Sequence, residues 1–364
     1  MFIPNAQSRY SFRGSRMAIA QIESHISGKA RICRLLARTV LFAMILLSLL
    51  QPRGLAQREQ GQKGPLYGQF TIKPFKVVGN IYSVGLSNNT SWLITTPQGH
   101  FLIDPTIEQA PPEIRKNIEQ LGFKVTDIKF ILQSHAHSDH VAGLPAFKEF
   151  TPGAKVVAMA EDVGLLADGG KSDYRGDGRP TFTPIHPDRI IHDGEKVQLG
   201  GVTMVAHLTP GHTPGCTTWS TVAEENGNKY NVLFNCSVRM NPRQALIGNP
   251  KYPGLADDFA RAFKTLKSLP CDVMLASHAS MFDMAEKIQR MQQNPGSNPF
   301  IDPAACRSFI AQYEKAYTDE MAKERASGGV YTPPPDDPTQ KESQLPCPND
   351  GRTCFGARPR RAGV

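Results

Sequence analysis

The feature that most constrains how this chain can fold is the six-residue segment 135–140, which contains three histidines and one aspartate. The apolar run 128–133 before it has the length and composition of a buried strand, and residues 141–147 begin a helical pattern. The segment therefore forms the turn between a strand and a helix. Burying four such side chains without partners would cost several kcal/mol. Packing does not account for them, so we predict that this turn binds metal.

The spacing within the segment indicates two metal ions rather than one. In an extended chain, side chains at positions i and i+2 share a face, so His135 and His137 can bind one ion. Asp139 and His140, where the chain turns, can bind another. Imidazole nitrogens with one carboxylate suit zinc, which usually has four ligands in a tetrahedron. Two zinc ions per chain need about six protein ligands, and the segment supplies four.

Two histidines elsewhere complete this number. His212 lies in the turn 209–215 after the strand-like run 203–208, and His278 follows the apolar run 272–277. Ligand sites of layered α/β folds commonly form at the carboxyl ends of strands. We therefore predict that both bind metal. The other histidines are interpreted as leader, surface or structural residues: His25, His100, His186, His192 and His207.

Short β-rich runs alternate with helical stretches over about residues 70–325, which predicts an α/β layered domain. Strands are expected at 76–84, 91–95, 101–103, 129–133, 155–159, 203–207, 217–221, 230–234 and 272–276. Helices are expected at 111–121, 140–150, 255–269, 282–293 and 303–325. The glycine-rich, polar stretch 167–180 predicts a surface loop, which is either functional or a tolerated insertion.

The positive charge of the chain is concentrated near its N-terminus. The formal net charge is +8, of which residues 1–56 carry +7, so the rest gives no argument for a nucleic-acid partner. A basic stretch ending at Arg38, the 11-residue apolar run 40–50 and small residues up to Ala56 are typical of a signal peptide. The run is shorter than the roughly 20 residues of a membrane span. An uncleaved amphipathic anchor is the alternative, and Met17 is an alternative start.

Export predicts a secreted protein with no membrane contact after cleavage of the signal peptide. We expect one folded domain at 57–327 and a disordered, proline-rich tail at 328–364. An oxidising compartment permits disulfides among the six cysteines after Ala56, and Cys347 could pair with Cys354. The sequence contains no Cys-x-x-Cys spacing, so it does not support a zinc cluster bound by thiolates.

The motif His-x-His-x-Asp-His at 135–140, followed by Thr-Pro-Gly-His-Thr-Pro-Gly at 209–215, resembles the metallo-β-lactamase superfamily. The resemblance covers about residues 70–325. It implies an αββα sandwich with the metal cleft at the edge of the two sheets. Members include β-lactamases, glyoxalase II thioesterases, lactonases and nucleases, so the first motif alone does not determine the substrate.

Residues 74–85, 211–219 and 269–278 further resemble the subclass B3 β-lactamases. In glyoxalase II an aspartate bridging both metals follows the strand at 230–235, whereas this chain has Ser237 there, as B3 enzymes do. We interpret the neighbouring Cys236 as buried and structural. By resemblance, the first zinc is bound by His135, His137 and His212, and the second by Asp139, His140 and His278. The resemblance also implies a disulfide between Cys271 and Cys306. It identifies Asp104 as the aspartate that the family has after an earlier strand.

The resemblance implies a periplasmic enzyme that hydrolyses the β-lactam amide bond of penicillins, cephalosporins and carbapenems and so confers antibiotic resistance. We expect a monomer. Two zinc ions would activate a water molecule, and Asp139 would orient it. Ser237 and Arg239 are candidates for binding the carboxylate of the substrate. One alternative is an exported zinc hydrolase acting on lactones or thioesters. Another is a zinc-binding envelope protein without catalysis.

Overall fold

A computed structural model describes residues 69–328, except 177, 242 and 243. All of them belong to the compact unit Gly64–Val364. The predicted signal peptide, the tail beyond residue 328, and the cysteines Cys347 and Cys354 lie outside the described residues. No helix within the described residues is long and apolar enough to cross a membrane.

Two sheets form the centre of this domain. In the described part of the chain, the first sheet has seven strands that lie side by side in chain order: β1 (Phe75–Val78), β2 (Ile81–Ser83), β3 (Trp92–Thr96), β4 (Gly99–Ile103), β5 (Ile128–Leu132), β6 (Lys155–Met159) and β7 (Arg189–Ile191). Strands β1 to β4 pair antiparallel, and β4 to β7 pair parallel. The carboxyl ends of β4, β5 and β6 therefore meet at one edge.

The second sheet has five strands among the described residues: β8 (Lys196–Leu199), β9 (Val202–Leu208), β10 (Thr217–Glu225), β11 (Asn228–Asn235) and β12 (Val273–Ala276). They lie in the order β12-β11-β10-β9-β8. The pairs are antiparallel except β11 with β12, which is parallel. The ends of β11 and β12 therefore point to the same edge.

Helices surround the two sheets: α1 (Pro111–Gln120), α2 (Ser138–Val141), α3 (Leu144–Phe150), α4 (Val163–Ala167), α5 (Leu255–Ser268), α6 (Met284–Gln293) and α7 (Pro303–Ala326). All except α6 cover the outer faces, whereas α6 packs against the core between the sheets through Met284. Side chains alternate across each strand, so Val232 and Phe234 of β11 enter the core between the sheets, while Leu233 packs under α5 and α7. The core between the sheets also contains Trp92 and Trp219. The predicted αββα sandwich is confirmed.

The structure differs from the expected elements where local signals are short. The helix expected at 140–150 is two helices, α2 and α3, because the backbone N–H of Gly143 donates to the carbonyl oxygen of Thr106 at 2.9 Å instead of to the preceding helical turn. A Cβ at Gly143 would lie 2.5 Å from the carbonyl oxygen of Pro105. Strands β7 and β8 and helix α4 were not predicted, since three to five residues are too few to show a hydrophobic period.

Two disulfides join the described part of the chain. Cys271 and Cys306, the pair implied by the resemblance, are bonded and tie the entrance of β12 to α7. Cys216 and Cys236 are bonded as well, between the start of β10 and the end of β11. Cys236 is fully buried, as predicted. Its pairing was not predicted, because only the strand register brings Cys216 beside it.

Removing the first of these bonds should destabilise the domain. The Cys271→Ser/Cys306→Ser variant should unfold with a free energy lower by about 3–4 kcal/mol, since the bond closes a loop with a sequence separation of 35. Urea unfolding followed by tryptophan fluorescence measures this change. The Cys216–Cys236 bond remains in the variant and serves as an internal control for oxidation. An unchanged unfolding midpoint would contradict the prediction.

Candidate metal centre

Three chain segments carry the predicted ligands to one edge of the sandwich. The turn from β5 to α2 carries four of them, the turn from β9 to β10 carries His212, and the exit of β12 carries His278. The six side chains form two groups, and the candidate ligand atoms within each group lie within 4.8 Å of one another. The first group is His135, His137 and His212, and the second is Asp139, His140 and His278. These are the two sets expected from the sequence.

The second group has the spacing of a tetrahedral zinc site. Nε2 of His140 lies 3.2 Å from Nε2 of His278. Oδ2 of Asp139 lies 3.3 Å from each of these nitrogens. Zinc bonds of about 2.0 Å place neighbouring tetrahedral ligands about 3.3 Å apart. The three donor atoms therefore fit one zinc ion without rearrangement.

The first group contains buried nitrogens without hydrogen bonds. Nε2 of His135 and Nε2 of His137 are both buried and make no hydrogen bond, although Nε2 of His137 lies 3.4 Å from Oδ2 of Asp173. Nδ1 of His212 lies 2.8 Å from the carbonyl oxygen of Arg239. It donates its proton there, so Nε2 of His212 keeps a free lone pair. An unpaired buried polar atom costs about 1–3 kcal/mol, and this donor set suits a cation.

Burial keeps four of the imidazoles neutral. It lowers the pKa of His135 well below 6.5, with the neighbouring imidazoles adding to the effect. Burial and then Arg175 lower the pKa of His137 well below 6.5 and that of His212 to about 3. Burial and then the charge of His140 lower the pKa of His278 to about 4. Neutral rings at neutral pH are what metal ligation requires.

Asp139 and His140 form a pair of opposite charges. Burial opposes the charged form of both and is the largest single cause, but the charge interactions and hydrogen bonds of each group together outweigh it. The pKa of Asp139 lies well below its usual value, and that of His140 is raised to about 10 with a further contribution from Asp104. A cation that binds this group must displace the proton on His140, so binding depends on pH.

Asp104, at the end of β4, holds the turn that carries the ligands. Its carboxylate accepts hydrogen bonds from the backbone N–H of Ser134 at 2.8 Å and from the Ser134 hydroxyl at 2.5 Å. Its Oδ2 also lies 3.1 Å from Nδ1 of His140. Asp104 has a left-handed backbone with φ 54°, which is strained for an aspartate. Its contacts to the turn from β5 hold it there.

Asp162, which the sequence analysis did not identify, joins the first two ligand segments. Its buried carboxylate accepts hydrogen bonds from the N–H of Ala136 at 2.9 Å, the hydroxyl of Thr213 at 2.8 Å and the N–H of Gly215 at 2.7 Å. A Cβ at Gly215 would lie 2.5 Å from the backbone nitrogen of Asp162, so only glycine fits. Asp162 follows β6, just as Asp104 follows β4. An acid after each parallel strand was the sequence signal that could have revealed it.

A cleft of about 290 Å³ opens above the two groups. The predicted substrate-binding residues Ser237 and Arg239 both line it. Ser237 is buried, whereas the exposed guanidinium of Arg239 makes no hydrogen bond or ion pair with any described residue. The other lining residues are His137, Asp139, Arg175, His212, Met240, Asn241 and His278.

The glycine-rich loop 167–180 borders this cleft. The Tyr174 hydroxyl donates a hydrogen bond to the carbonyl oxygen of Gly211 at 3.1 Å, next to His212. Arg175 lines the cleft, but its guanidinium is paired with Asp173, with an Nη2–Oδ2 distance of 2.7 Å. The loop is therefore positioned to contact a bound ligand. Its arginine is ion-paired, although the positive charge still acts on His137 and His212.

A family model for the metallo-β-lactamase superfamily matches residues 84–225. Two solved structures are similar over most of the domain. The native FEZ-1 metallo-β-lactamase of Legionella gormanii is 40% identical, with a TM-score of 0.69, over 72% of this chain and 99% of that one. BJP-1, a subclass B3 metallo-β-lactamase of Bradyrhizobium japonicum, is 36% identical, with a TM-score of 0.65, over 71% of this chain and 97% of that one.

Curated relatives match a shorter stretch. The mitochondrial persulfide dioxygenase ETHE1 of Homo sapiens is 29% identical over 118 residues, which is 32% of this chain and 37% of the human protein. The chain therefore spans less than half the length of this relative. The similarity to the two solved structures is both higher in identity and far longer.

Proposed function

The chain belongs to the metallo-β-lactamase superfamily, and from this membership we propose that it hydrolyses the β-lactam amide bond of penicillins, cephalosporins and carbapenems, conferring antibiotic resistance. One observation carries the proposal. Among the described residues that line the cleft, Asp139 is the only acid, and Ser237 occupies the exit of β11. The described residues of the cleft therefore provide no second carboxylate that could bridge two metal ions. By the resemblance, glyoxalase II thioesterases have such a bridging aspartate.

We propose that the first group of ligands holds one zinc ion and the second group another. When bound, zinc polarises a carbonyl oxygen and lowers the pKa of a water molecule from about 15.7 to about 7. The six side chains are supported by Asp104, Asp162 and Asn89, so they are held before any ion arrives.

Asp139 has one carboxylate oxygen available for catalysis. Its Oδ2 faces His140 and His278 and accepts a hydrogen bond from Nδ2 of Asn89 at 3.2 Å. Nδ2 of Asn89 also donates to the backbone carbonyl of Asp139 at 3.0 Å, which fixes the residue. Its Oδ1 makes no hydrogen bond with the described residues, and 40% of the side chain is exposed at the cleft. Oδ1 is therefore the atom that orients the attacking water and accepts its proton.

The reaction then needs two proton transfers, one from the water to Asp139 and one from Asp139 to the ring nitrogen. The water oxygen bonds to the β-lactam carbonyl carbon while Asp139 takes the proton, and the bond from that carbon to the ring nitrogen breaks. The proton held on Asp139 passes to the nitrogen. No covalent intermediate with the protein is needed, because the nucleophile is water.

Arg239 and Ser237 are the proposed binding site for the carboxylate next to the ring nitrogen. Arg175 is ion-paired with Asp173, whereas Arg239 is the cleft residue whose positive charge has no counter-ion among the described residues. The backbone N–H of Arg239 donates to the Ser237 hydroxyl at 3.3 Å, which holds both residues together. A hydrogen bond to a charged group contributes about 1.5–3 kcal/mol.

The zinc-loaded protein should hydrolyse a chromogenic cephalosporin, and a chelator should abolish the absorbance change. Adding zinc back should restore it, which separates metal loss from denaturation. No turnover with zinc bound would contradict the proposal. Turnover of a lactone or a thioester in that sample would favour the alternative hydrolase, and zinc binding without any turnover would favour a non-catalytic envelope protein.

We further propose that the enzyme is periplasmic and monomeric, with residues 1–56 removed as a signal peptide. Two disulfides in the described part of the chain fit an oxidising compartment. The bacterial enzymes with similar structures fit the same location.

A further inference from the structure

A second pocket of about 270 Å³ lies beside the metal cleft. We call it the outer pocket, and it is lined by Asn88, Arg239, His278, Ser280, Met281 and Tyr313. Arg239 and His278 line the metal cleft as well, so the two spaces adjoin. A substrate held at the metal centre can therefore extend a substituent into the outer pocket.

The outer pocket offers hydrogen-bond donors that no described residue uses. The Arg239 guanidinium and the hydroxyls of Ser280 and Tyr313 make no hydrogen bond or ion pair with residues of the described chain. Burial raises the pKa of Tyr313, and Asp283 adds to the increase against the opposing effect of Arg239, so the phenol stays protonated at neutral pH. No acid is among the described residues that line this pocket. Free donors beside one fixed positive charge suit an anionic group.

The wall formed by Ser280 is rigidly joined to the metal centre. The carbonyl oxygen of Asn88 accepts a hydrogen bond from the N–H of Ala279 at 2.7 Å, and its Oδ1 accepts one from the N–H of Ser280 at 3.2 Å. These two hydrogen bonds fix the position of Ser280, which follows the metal-ligand candidate His278 by two residues in the chain.

The Tyr313 wall is anchored to the same strand. Tyr313 lies on α7, two turns after Cys306, which is bonded to Cys271 just before β12. His278 follows the other end of β12. The disulfide therefore ties the helix that carries Tyr313 to the strand that leads to His278. Donors held in place before binding lose little entropy when a ligand arrives.

We propose that the outer pocket binds a second acidic group of the substrate, so that the protein favours β-lactams that carry two carboxylates. The inference rests on the proposed function, because the first carboxylate and the β-lactam ring occupy the metal cleft. Arg239 stands between the two spaces and has five N–H donors, enough to contact both carboxylates. Ser280 and Tyr313 contact only the second.

The test uses two penicillins that differ by one carboxylate: benzylpenicillin and its derivative with a carboxyl group on the side-chain α-carbon. The zinc-loaded Ser280→Ala/Tyr313→Phe variant of the full chain should show a roughly tenfold lower kcat/KM for the dicarboxylate, mainly through KM. Its kcat/KM for benzylpenicillin should change by less than about twofold. Tyr313→Phe alone keeps the ring and should show a smaller loss in the same direction.

A matched control removes the same two chemical groups elsewhere. The Ser308→Ala/Tyr230→Phe variant also deletes one serine and one tyrosine hydroxyl, at positions that line neither space. It should leave the preference between the two penicillins unchanged. Equal changes for both penicillins, or no change, in the Ser280→Ala/Tyr313→Phe variant would overturn the outer-pocket inference alone. Wild-type protein that hydrolyses neither penicillin would overturn the proposed function and this inference with it.

Discussion

Replacing Asp139 with alanine should lower the turnover of a chromogenic cephalosporin by about 10³-fold or more while the chain still folds. The substitution removes one ligand of the second group and the free oxygen Oδ1 that would accept the proton of the water. The side chain is 40% exposed, but its Oδ2 contacts Asn89, His140 and His278, so the free energy of unfolding of the metal-free protein should fall while the chain still folds. Loss of the Asp139 carboxylate also removes the negative charge that raises the pKa of His140.

The measurement combines turnover with zinc content. The Asp139→Ala variant should keep the ion held by the first group and lose affinity at the second. Asp319→Ala is the matched control, since it removes an exposed aspartate from α7 far from the cleft. Turnover within a factor of about ten of the wild type would refute the role of Asp139.

Replacing Asp162 with alanine should weaken zinc binding at the first group by about 10- to 100-fold, although Asp162 itself binds no metal. The carboxylate is the shared acceptor of the segments that carry His137 and His212. Without it, two backbone N–H groups and the Thr213 hydroxyl stay buried without an acceptor, which should also lower the free energy of unfolding by about 3 kcal/mol.

A competition titration with a coloured zinc chelator measures the two affinities separately. The second group should lose less affinity, because Asp104 and Asn89 support it. Asp188→Ala is the matched control. Its carboxylate also accepts a backbone hydrogen bond, from Val156 of β6, but it lies away from the cleft. Unchanged affinity at the first group in Asp162→Ala would show that Asp162 has no positioning role.

Several parts of the fold and site were predictable because their signals are local. The apolar run before His135 and the i, i+2 spacing of the histidines are properties of a few consecutive residues. Most strands and helices followed from the same kind of pattern, but elements as short as β7, β8 and α4 were missed, and the strand expected at 76–84 is the antiparallel pair β1 and β2. The division of one expected helix at Gly143 was not predicted, because its cause is a hydrogen bond to the distant Thr106.

The sequence by itself determined the chemistry of this protein: which six side chains can bind metal, and that they lie at strand ends. The tertiary structure alone decided how these side chains are held and what surrounds them. Asp162 contacts residues 26 and 53 positions away. Cys216 meets Cys236 only through the register of β10 and β11. The outer pocket combines the β2–β3 connection, the exit of β12 and α7. Hydrogen bonds and packing between distant segments leave no periodic pattern in a sequence, so only the folded chain shows them.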